Sequence, residues 1–400
     1  MNYQVCTRCI MDTTDPEIQF DADGVCNHCH TYDQEYAKLG PMEERPQRLE
    51  KLAAQIRKEG KGKEYDCLLG LSGGVDSTYV AWHANRLGLR TLAAHFDSGW
   101  DSEVAVRNIE KVVKKLKMDF YTSVVDWDEM RDLQLAFFRA SVANCDIPQD
   151  HAYVAALHKL AVKKGLRYIL SGHNLATEGV LPSAWGHNSR DLRHINAIQK
   201  RFGTMKLRKY PKLSLPYDVI YCRLIKRITK VDVLNYFPYV KAEAMTLIER
   251  EFDWKYYGGK HYESVFTRFF QTYYLPVKFG YDKRRAHLSS LVVSGQMTRA
   301  EALEKMKENL YSPESLREDK LYIARKLGIS VEEFDNIMKL PLKTFRDYPS
   351  NDTLIRILFK TRDRLRSLGL LSGSGPFRAP VVRTIPPPVK EELEGSRESR

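Results

Sequence analysis

Between residues 65 and 172 the sequence alternates short apolar runs with longer amphipathic stretches. The run YDCLLGL has the pattern of a short buried β-strand, and TLAAHFDSG, DFYTSVV and RYILSG have the patterns of further strands. The stretches between them include helical patterns with glycine stops. Strands that alternate with helices form a parallel sheet with right-handed crossovers. After about Lys230 the strand pattern ends, and helical patterns rich in aromatic residues follow. The sequence therefore predicts an α/β fold with a mainly helical C-terminal region.

Shifts in composition divide the chain into five segments. A cysteine-rich module (residues 1–35) is followed by a connecting helix (36–63) and by the α/β domain (64–235). A helical domain (236–372) comes next, and a tail rich in prolines and charged residues (373–400) follows it. Such proline-rich, charged segments bury too little apolar surface to fold by themselves, so we expect the tail to be a flexible arm.

The overall composition is ordinary for a soluble globular protein. Of the 400 residues, 43% are apolar and 28% are charged. The sequence contains no apolar run near the ~18–20 residues that span a bilayer. Its start, MNYQVCTRC, lacks the basic-then-apolar layout of a secretion signal. These features predict a cytoplasmic protein that is not inserted in a membrane.

The seven cysteines include two closely spaced pairs near the start of the sequence. Cys6 and Cys9 form one C-x2-C pair, and Cys26 and Cys29 form the other. Two such pairs at this separation are typical of a zinc ribbon, in which each turn directs two thiolates at one tetrahedral ion. Residues 23–24, Asp-Gly, suit the tight hairpin turn of such a ribbon. We therefore predict a structural Zn²⁺ site with these four cysteines as ligands.

The sequence SGGVDS (residues 72–77) lies where the first strand gives way to a helix. N–H groups at the start of a helix and the helix dipole attract anions, and Gly73 and Gly74 allow the backbone to approach a phosphate closely. Asp76 beside an anion indicates a Mg²⁺ ion that the phosphates also bind. The loop has neither the lysine of a Walker P-loop nor the spacing of a dinucleotide-binding loop. A glycine turn with a capping aspartate is the purely structural alternative.

Residues 71–77, Leu-Ser-Gly-Gly-Val-Asp-Ser, resemble the pyrophosphate loop of the N-type ATP pyrophosphatases, the PP-loop superfamily. Members of this superfamily cleave ATP between the α and β phosphates, adenylylate a carbonyl oxygen, and let a nitrogen or sulfur nucleophile displace AMP. The resemblance implies a PP-loop ATP pyrophosphatase domain (adenine nucleotide alpha hydrolase-like) over residues 64–235, with adenine at the end of the second strand. The ATP-binding residues implied are Leu71, Ser72, Gly73, Gly74, Val75, Asp76, Ser77, Phe96, Asp97, Gly172, His173 and Asn174.

Three features around the loop narrow this resemblance. The cysteine module leads directly into the α/β domain, FDSGWDSEVAVRNI (residues 96–109) follows the second strand, and DWKYYGGKHYES and TRFFQ lie within residues 253–271. Together they resemble the N-acetyl sugar amidotransferases of bacterial surface-polysaccharide biosynthesis. The resemblance covers nearly the whole chain up to about residue 370, and WKYYGGKH is its most specific part.

This resemblance implies an ATP-dependent C–N ligase that forms AMP and PPi. Such an enzyme converts the acetamido group of a nucleotide-linked sugar, here a UDP-linked N-acetyl sugar acid, or of a nonulosonic acid, into an acetamidino group in lipopolysaccharide O-antigen or related glycan biosynthesis. The implied cofactors are structural Zn²⁺, Mg²⁺ at Asp76, and ATP as co-substrate. The catalytic residues implied are Asp76, Lys255, Lys260 and His261. The residues expected to bind the sugar substrate are Tyr256, Tyr257, Gly258, Gly259, Tyr262 and Arg268.

The ammonia for this reaction is expected to come from another subunit. Cys67 lies within a predicted strand, and neither Cys145 nor Cys222 stands in the context of a nucleophilic cysteine. The resemblance implies a separate glutaminase with a barrel-type ammonia-channel partner, like the two parts of imidazole-glycerol-phosphate synthase. Residues 190–230 carry twelve Lys and Arg residues against two acidic ones. This basic stretch is either a solvated surface or a wall that faces an anionic substrate, RNA or an acidic partner protein.

Two other functions fit parts of the sequence. A tRNA-thiolating PP-loop enzyme would also combine the glycine loop, a zinc module and a basic surface, but such enzymes use catalytic cysteines or a cluster-binding cysteine set. Cys145 and Cys222 are the available pair, and neither lies in a C-x2-C motif or a glycine-rich loop. Nucleic acid is therefore not expected as a partner. A nucleotide-binding scaffold without catalytic activity is the second alternative.

Overall fold

The fold is organised around a five-stranded parallel β-sheet. The computed structural model describes residues 3–259, 262–355, 357, 361 and 364. The strands are β1 (Cys67–Gly70), β2 (Thr91–Asp97), β3 (Phe120–Val124), β4 (Tyr168–Ser171) and β5 (Thr229–Asp232). They stand in the order β3-β2-β1-β4-β5, and each neighbouring pair is parallel. The predicted parallel α/β fold is confirmed.

Helices connect the strands and form most of the described chain after the sheet. Up to β5 they are α1 (Asn27–Ala37), α2 (Arg45–Gly60), α3 (Val75–Arg86), α4 (Glu103–Leu116), α5 (Trp127–Arg139), α6 (Ile147–Lys163), α7 (Leu175–Glu178), α8 (Leu192–Phe202) and the π-helix Tyr217–Ile225. After β5 they are α9 (Lys241–Phe252), α10 (Val265–Phe269), the π-helix Phe270–Phe279, α11 (Lys283–Val293), α12 (Arg299–Lys305), α13 (Pro313–Leu327) and α14 (Val331–Lys339). Short 3₁₀ turns lie at Met42–Glu44, Ser183–Trp185, Val233–Tyr236 and Phe345–Asp347. The predicted helical C-terminal region is confirmed.

The fifth strand is not predicted by the sequence. The strand pattern ends at about Lys230, whereas β5 extends the sheet to Asp232. β5 pairs with β4 from Thr229 opposite Tyr168 to Asp232 opposite Ser171. It has four residues, and its first two, Thr229 and Lys230, are exposed. A short strand at the edge of a sheet lacks the continuous apolar run by which a buried strand is recognised.

Apolar side chains from both faces of β1 build the core of the sheet. On one face Leu69 shares a cluster with Val80 of α3 and Ile248 of α9, and all three are buried. On the other face Leu68 packs in a cluster with Leu160 of α6. Because helices cover both faces, the central strand is apolar at successive positions and not only at alternate ones.

A second core of aromatic side chains joins α5 to the C-terminal helices. Phe137 and Phe138 of α5, Phe266 of α10 and Phe334 of α14 are fully buried in one cluster. The ring of Phe138 contacts the rings of both Phe266 and Phe334 at centroid distances of 5.6 and 5.4 Å. The C-terminal helices therefore pack against the α/β part of the chain and do not form a separate core.

By its internal contacts the chain divides into two units, Met1–Asn351 and Asp352–Arg400. The sheet, helices α1 to α14 and the cysteine module belong to the first unit. The five segment boundaries stay predictions, and the proposed tail (373–400) lies outside the described residues. Within the described ranges, no helix has both the length and the apolar character needed to cross a membrane.

Candidate functional site

The strand order reverses between β1 and β4. The chain leaves β1 towards β2 on one side and leaves β4 towards β5 on the other. In open parallel sheets, ligands bind where the strand order reverses in this way, outside the carboxyl ends of the strands. The loop at residues 71–77 follows β1, and Gly172, His173 and Asn174 follow β4. The sheet thus brings together two of the segments predicted to bind ATP.

The glycine loop folds tightly against the amino end of α4. Gly73 has a φ of +78°, and a Cβ at this position would lie 2.4 Å from the carbonyl oxygen of Ala105. The Ser77 hydroxyl accepts the N–H of Ser72 at 3.2 Å, and the Ser72 hydroxyl accepts the N–H of Gly74 at 3.3 Å. These bonds shape a turn that leads directly into α3, where backbone N–H groups and the helix dipole favour an anion.

The close approach at Gly73 makes this residue a direct test of the loop. We expect Gly73→Ala to weaken pyrophosphate binding about tenfold or more, because the added Cβ must displace the loop or the Ala105 carbonyl. Alanine at this φ also costs about 1–2 kcal/mol of folding free energy. Gly88→Ala is the matched control, since Gly88 has a φ of +65° but open space around its Cβ position. Calorimetric titration should separate the two variants, and equal pyrophosphate affinities would contradict this description of the loop.

Asp76 lies in the first turn of α3, beside the side chain of Tyr239. The sequence pattern predicts no role for Tyr239. The hydroxyl of Tyr239 donates a hydrogen bond to Oδ1 of Asp76. Burial raises the pKa of Tyr239, and the charges of Asp76 and Glu178 raise it further. Gly172 packs directly on the loop side of α3, where a Cβ would lie 2.9 Å from the backbone carbon of Asp76. The Asp76 carboxylate is a hard oxygen donor beside the loop, and such a donor suits Mg²⁺.

The segment after β4 carries hydrogen bonds of its own. Nδ1 of His173 lies 2.5 Å from Oε2 of Glu178. Asn174 is fully buried, and its side-chain oxygen accepts the N–H of Thr177 at 2.9 Å, which caps α7. Asn174 therefore acts as a helix cap, and His173 and Glu178 form a pair beside it. Glu178 is absent from the sequence-based candidates, and the ATP-binding roles of His173 and Asn174 stay predictions.

A cavity of about 460 Å³ opens at the end of β2, where adenine is predicted to lie. Its volume falls in the range of small-molecule sites. Asp97 lines this cavity, and its Oδ1 accepts the N–H of Gly99 at 2.7 Å. Phe96, by contrast, is buried in the aromatic core. The residues that line the cavity are His95, Asp97, Gly99, Asp101, Val106, Ile109, Glu110, Phe120 and Thr122.

His95 links this cavity to the glycine loop. Its Nδ1 lies 3.0 Å from the carbonyl oxygen of Leu71, and its Nε2 lies 3.0 Å from Oδ2 of Asp101. Burial lowers the pKa of His95, but the hydrogen bond and charge of Asp101 outweigh it, so the pKa is raised above its ordinary value. Burial raises the pKa of Asp101. The pair holds the cavity wall and the start of the loop together.

The WKYYGGKH stretch begins directly on the glycine loop. The buried indole of Trp254 donates its N–H to the carbonyl oxygen of Gly73 at 2.9 Å. Asn108 of α4 exchanges two hydrogen bonds with the backbone of Lys255, at 2.9 and 2.8 Å. The Lys255 ammonium is exposed and pairs with Asp253 at 2.8 Å. Trp254, to which the sequence pattern assigns no role, is thus the anchor of this stretch, and the catalytic role of Lys255 stays a prediction.

Tyr257 and Glu263 form a wall on the other side of the loop. The Tyr257 hydroxyl and Oε1 of Glu263 lie 3.2 and 3.5 Å from the position that a Cβ of Gly74 would take. Burial raises the pKa of Tyr257, and the charges of Glu263 and Asp76 raise it further. The carbonyl oxygen of Glu263 accepts the N–H of Ser102 at 2.8 Å. The C-terminal region therefore contacts both the glycine loop and the loop that follows β2.

Two more predicted substrate residues are aromatic, and they differ in exposure. Tyr256 is 49% exposed, and its ring stacks on that of Tyr257 with centroids 5.9 Å apart. Tyr262 is half-buried against the glycine pair, and a Cβ on Gly259 would lie 2.7 Å from its ring. Gly258, which precedes Gly259, is exposed. Tyr256 is therefore the member of this group that presents an open aromatic face.

Arg268 has its hydrogen bonds away from the glycine loop. Arg268 lies on α10, and its guanidinium donates to the carboxylate of Asp319 at distances of 2.6 to 3.0 Å. The hydroxyl of Tyr311 donates to the same carboxylate at 2.5 Å. The substrate-binding role of Arg268 stays a prediction. Lys260 and His261, two of the predicted catalytic residues, lie outside the described residues.

The four predicted cysteine ligands meet at one point, and all four are buried. The Sγ–Sγ distance is 3.6 Å between Cys9 and Cys26, 3.8 Å between Cys26 and Cys29, and 3.9 Å between Cys6 and Cys29. Four thiolates bound tetrahedrally to Zn²⁺ lie about 3.8 Å apart. The predicted four-cysteine cluster is confirmed, and its dimensions fit a zinc ion.

Arginine side chains join this module to the C-terminal helices. The guanidinium of Arg299 donates to the carbonyl oxygens of Cys6 and Cys9 at 2.9 to 3.1 Å. Arg285 of α11 donates to the carbonyl oxygen of Ile10 at 2.6 Å. The backbone that supports the cysteine cluster is therefore part of the packing of the C-terminal region.

The basic stretch 190–230 buries its acidic residues and exposes most of its cations. Its two acids, Asp191 and Asp218, are both buried. Asp218 pairs with Arg190 at 3.2 Å and with Arg223 at 2.9 Å. The exposed cations are Arg193, Lys200, Arg201, Lys206, Arg208, Lys209, Lys226, Arg227 and Lys230. This cationic surface suits an anionic ligand or an acidic partner, and its role stays a prediction.

Comparison with known proteins gives one domain match. Residues 263–362 match the family model described as LPS biosynthesis protein WbpG-like, C-terminal domain. The matched domain begins at Glu263. It spans 100 of the 400 residues, a quarter of the chain. No curated protein gave a match.

Three solved structures show distant similarity to the chain. NMN synthetase from Francisella tularensis is 16% identical with a TM-score of 0.28, and the match covers 53% of this chain and 93% of that one. NH3-dependent NAD synthetase from Campylobacter jejuni subsp. jejuni, in complex with the nitrate ion, is 13% identical with a TM-score of 0.29 over 77% and 98%. NAD+ synthetase from Burkholderia pseudomallei is 17% identical with a TM-score of 0.27 over 57% and 95%. TM-scores this low support no conclusion about the site.

Proposed function

We propose that this protein is an ATP-dependent ligase that amidates a sugar in lipopolysaccharide biosynthesis. One observation carries the proposal: the start of the WbpG-like domain lies against a glycine loop whose geometry suits a phosphate. Glu263, the first matched residue, approaches Gly74, and its carbonyl oxygen accepts the N–H of Ser102. Ser264 forms an antiparallel β-bridge with Asp101, which lines the cavity. A segment typical of lipopolysaccharide synthesis and an anion-binding loop thus share one set of contacts.

The proposed substrate is a nucleotide-linked sugar, such as a UDP-linked N-acetyl sugar acid, that carries an acetamido group. The acetamido oxygen attacks the α-phosphorus of ATP, an O–P bond forms, and PPi leaves. Ammonia then attacks the imidate carbon, the C–O bond breaks, and AMP departs with the oxygen as the attacking nitrogen loses a proton. Adenylylation turns a poor leaving group into a good one, so the enzyme needs positioning and charge stabilisation and no nucleophilic side chain.

The described residues divide these tasks between them. The glycine loop would bind the pyrophosphate part of ATP, and the cavity beside Asp97 would accept adenine. Asp76 would hold Mg²⁺, which would neutralise phosphate charge. Trp254 and Tyr257 pack on the loop, so they keep water from part of its surface and fix its shape.

The sugar side of the site is proposed on the WKYYGGKH stretch. The exposed ring of Tyr256 offers a face for stacking on a base or sugar. Lys255, Lys260 and His261 would neutralise charge on the α-phosphate or on the diphosphate of the sugar nucleotide. The four-cysteine cluster would hold a structural Zn²⁺, since a site with four thiolate ligands has no open position for catalysis.

The proposed reaction needs ammonia, for which we propose a separate glutaminase with a barrel-type ammonia-channel partner. The cationic surface of residues 190–230 is the proposed docking surface for this partner or a guide for the anionic sugar nucleotide. Nucleotide sugars and ATP are cytoplasmic metabolites, so we propose that the protein acts in the cytoplasm.

The thiolating alternative is disfavoured by the cysteines outside the cluster. Catalytic cysteines have a lowered pKa and partial exposure. Burial raises the pKa of Cys67 to about 12 and that of Cys222 to about 11, and it also raises the pKa of Cys145. All three are buried. None of them has the environment of a reactive thiolate.

A product assay tests the proposed function. The purified chain is incubated with ATP, Mg²⁺, a high concentration of ammonium and a panel of UDP-linked acetamido sugars and sugar acids. We expect AMP, PPi and a sugar nucleotide in which an NH group replaces the acetamido oxygen, as identified by mass spectrometry. No AMP with any member of the panel would contradict the proposal. Loss of a thionucleoside from the tRNA of a deletion strain would favour the thiolating alternative.

A further inference from the structure

Tyr239 lies between the glycine loop and the connection that follows β5. Its side chain is buried, and its hydroxyl donates to Oδ1 of Asp76 across 163 residues of sequence. We propose that Tyr239 is a positioning residue, which holds the Asp76 carboxylate in the orientation that binds a divalent cation together with pyrophosphate. This inference rests on the proposed function, and it assigns a role to a residue outside the glycine loop and the WKYYGGKH stretch.

The backbone around Tyr239 is held in place by one glutamine side chain. Nε2 of Gln296 donates to the carbonyl oxygen of Tyr239 at 3.1 Å, and Oε1 of Gln296 accepts the N–H of Lys241 at 3.0 Å. The N–H of Tyr239 donates to the carbonyl oxygen of Phe237 at 2.8 Å. Because Gln296 bonds to the carbonyl oxygen of Tyr239 and to the N–H of Lys241, it fixes the backbone that carries the phenol.

The phenol of Tyr239 is the donor in its hydrogen bond to the Asp76 carboxylate. A hydrogen bond between a neutral donor and a carboxylate is shorter and stronger than one between two neutral groups. With one of its oxygens held, the Asp76 carboxylate rotates less, and less ordering is required when it binds a cation.

The test compares variants of the full chain with Mn²⁺ as a spectroscopic probe for Mg²⁺. Mn²⁺ is titrated by electron paramagnetic resonance in the presence of pyrophosphate. We expect Tyr239→Phe to weaken Mn²⁺ binding about tenfold, as is typical when a residue that orients a metal ligand is removed. The phenylalanine keeps the packing against Tyr79, whose ring centroid lies 5.7 Å away. Tyr236→Phe, at a half-buried tyrosine on the same connection, should bind Mn²⁺ like the wild type.

Two further variants separate this inference from the proposed function. Gln296→Ala should weaken Mn²⁺ binding in the same direction as Tyr239→Phe but by a smaller factor. If Asp76→Asn loses Mn²⁺ while Tyr239→Phe binds it like the wild type, Tyr239 is only structural and the inference is overturned, although the proposed function stands. If the wild type and Asp76→Asn bind Mn²⁺ and pyrophosphate equally, the assignment of the loop itself fails, and the inference fails with it.

Discussion

An Asp76→Asn variant is expected to fold normally and to form AMP about a thousandfold more slowly than the wild type. Asparagine has the shape of aspartate but lacks the charge that would hold Mg²⁺ beside the pyrophosphate. A thousandfold loss corresponds to about 4 kcal/mol of transition-state stabilisation. The rate is measured as AMP release from ATP with saturating ammonium and sugar nucleotide, and circular dichroism and thermal unfolding report on the fold.

The matched control for this variant is an aspartate on a different helix. Asp128 of α5 is 65% exposed and pairs only loosely with Arg131, at 3.4 Å. Asp128→Asn should leave the rate of AMP formation unchanged. An Asp76→Asn variant that forms AMP at the wild-type rate would contradict the role of Asp76, and with it the interpretation of the loop as a pyrophosphate site.

A Cys26→Ser variant is expected to lose its zinc and about 4 kcal/mol of unfolding free energy. The cluster lies within the packing of the C-terminal helices, because Arg299 and Arg285 bond to the carbonyl oxygens of Cys6, Cys9 and Ile10. Release of the metal would therefore destabilise more than the first thirty residues. Metal content is measured by mass spectrometry of the digested protein, and stability is measured by urea unfolding.

The control for the cysteine variant is a neighbouring histidine. His30 follows the last cysteine of the cluster and is a zinc ligand by residue type, but its Nε2 pairs with Asp21 at 2.7 Å and its side chain is 52% exposed. His30→Ala should keep one zinc ion per chain and nearly all of the stability. A Cys26→Ser variant that still binds one zinc ion per chain, or a wild type that binds none, would refute the metal assignment.

The sequence pattern predicts β1 to β4, including β3 at one edge of the sheet, and misses β5 at the other edge. Strands such as β1 are covered by helices on both faces, so their apolar runs are visible in the sequence. β3 is mostly exposed, but its aromatic and β-branched residues identify it as a strand. β5 has only four residues, Thr-Lys-Val-Asp, of which Val231 alone is buried, so it lacks both signals. Its place in the sheet depends on pairing with β4, a long-range contact that a local pattern does not encode.

The candidate site shows the same division between local and long-range information. The glycine loop and the two C-x2-C pairs are recognisable because their chemistry depends on residues close together in the sequence. Tyr239 and Trp254 lie 163 and 181 residues from the loop residues they contact, Asp76 and Gly73. The local sequence around either residue predicts only a buried aromatic side chain, and its contact with the glycine loop is seen only in the folded chain.

The most direct test of the central claim is the fate of the acetamido oxygen. The sugar nucleotide is labelled with ¹⁸O in its acetamido group and incubated with ATP, Mg²⁺ and ammonium, and the AMP is examined by mass spectrometry. If AMP is transferred to that oxygen and then expelled by ammonia, every AMP formed with an acetamidino product carries one ¹⁸O atom. Unlabelled AMP, or the release of ADP and phosphate, would contradict the adenylylation of the acetamido group.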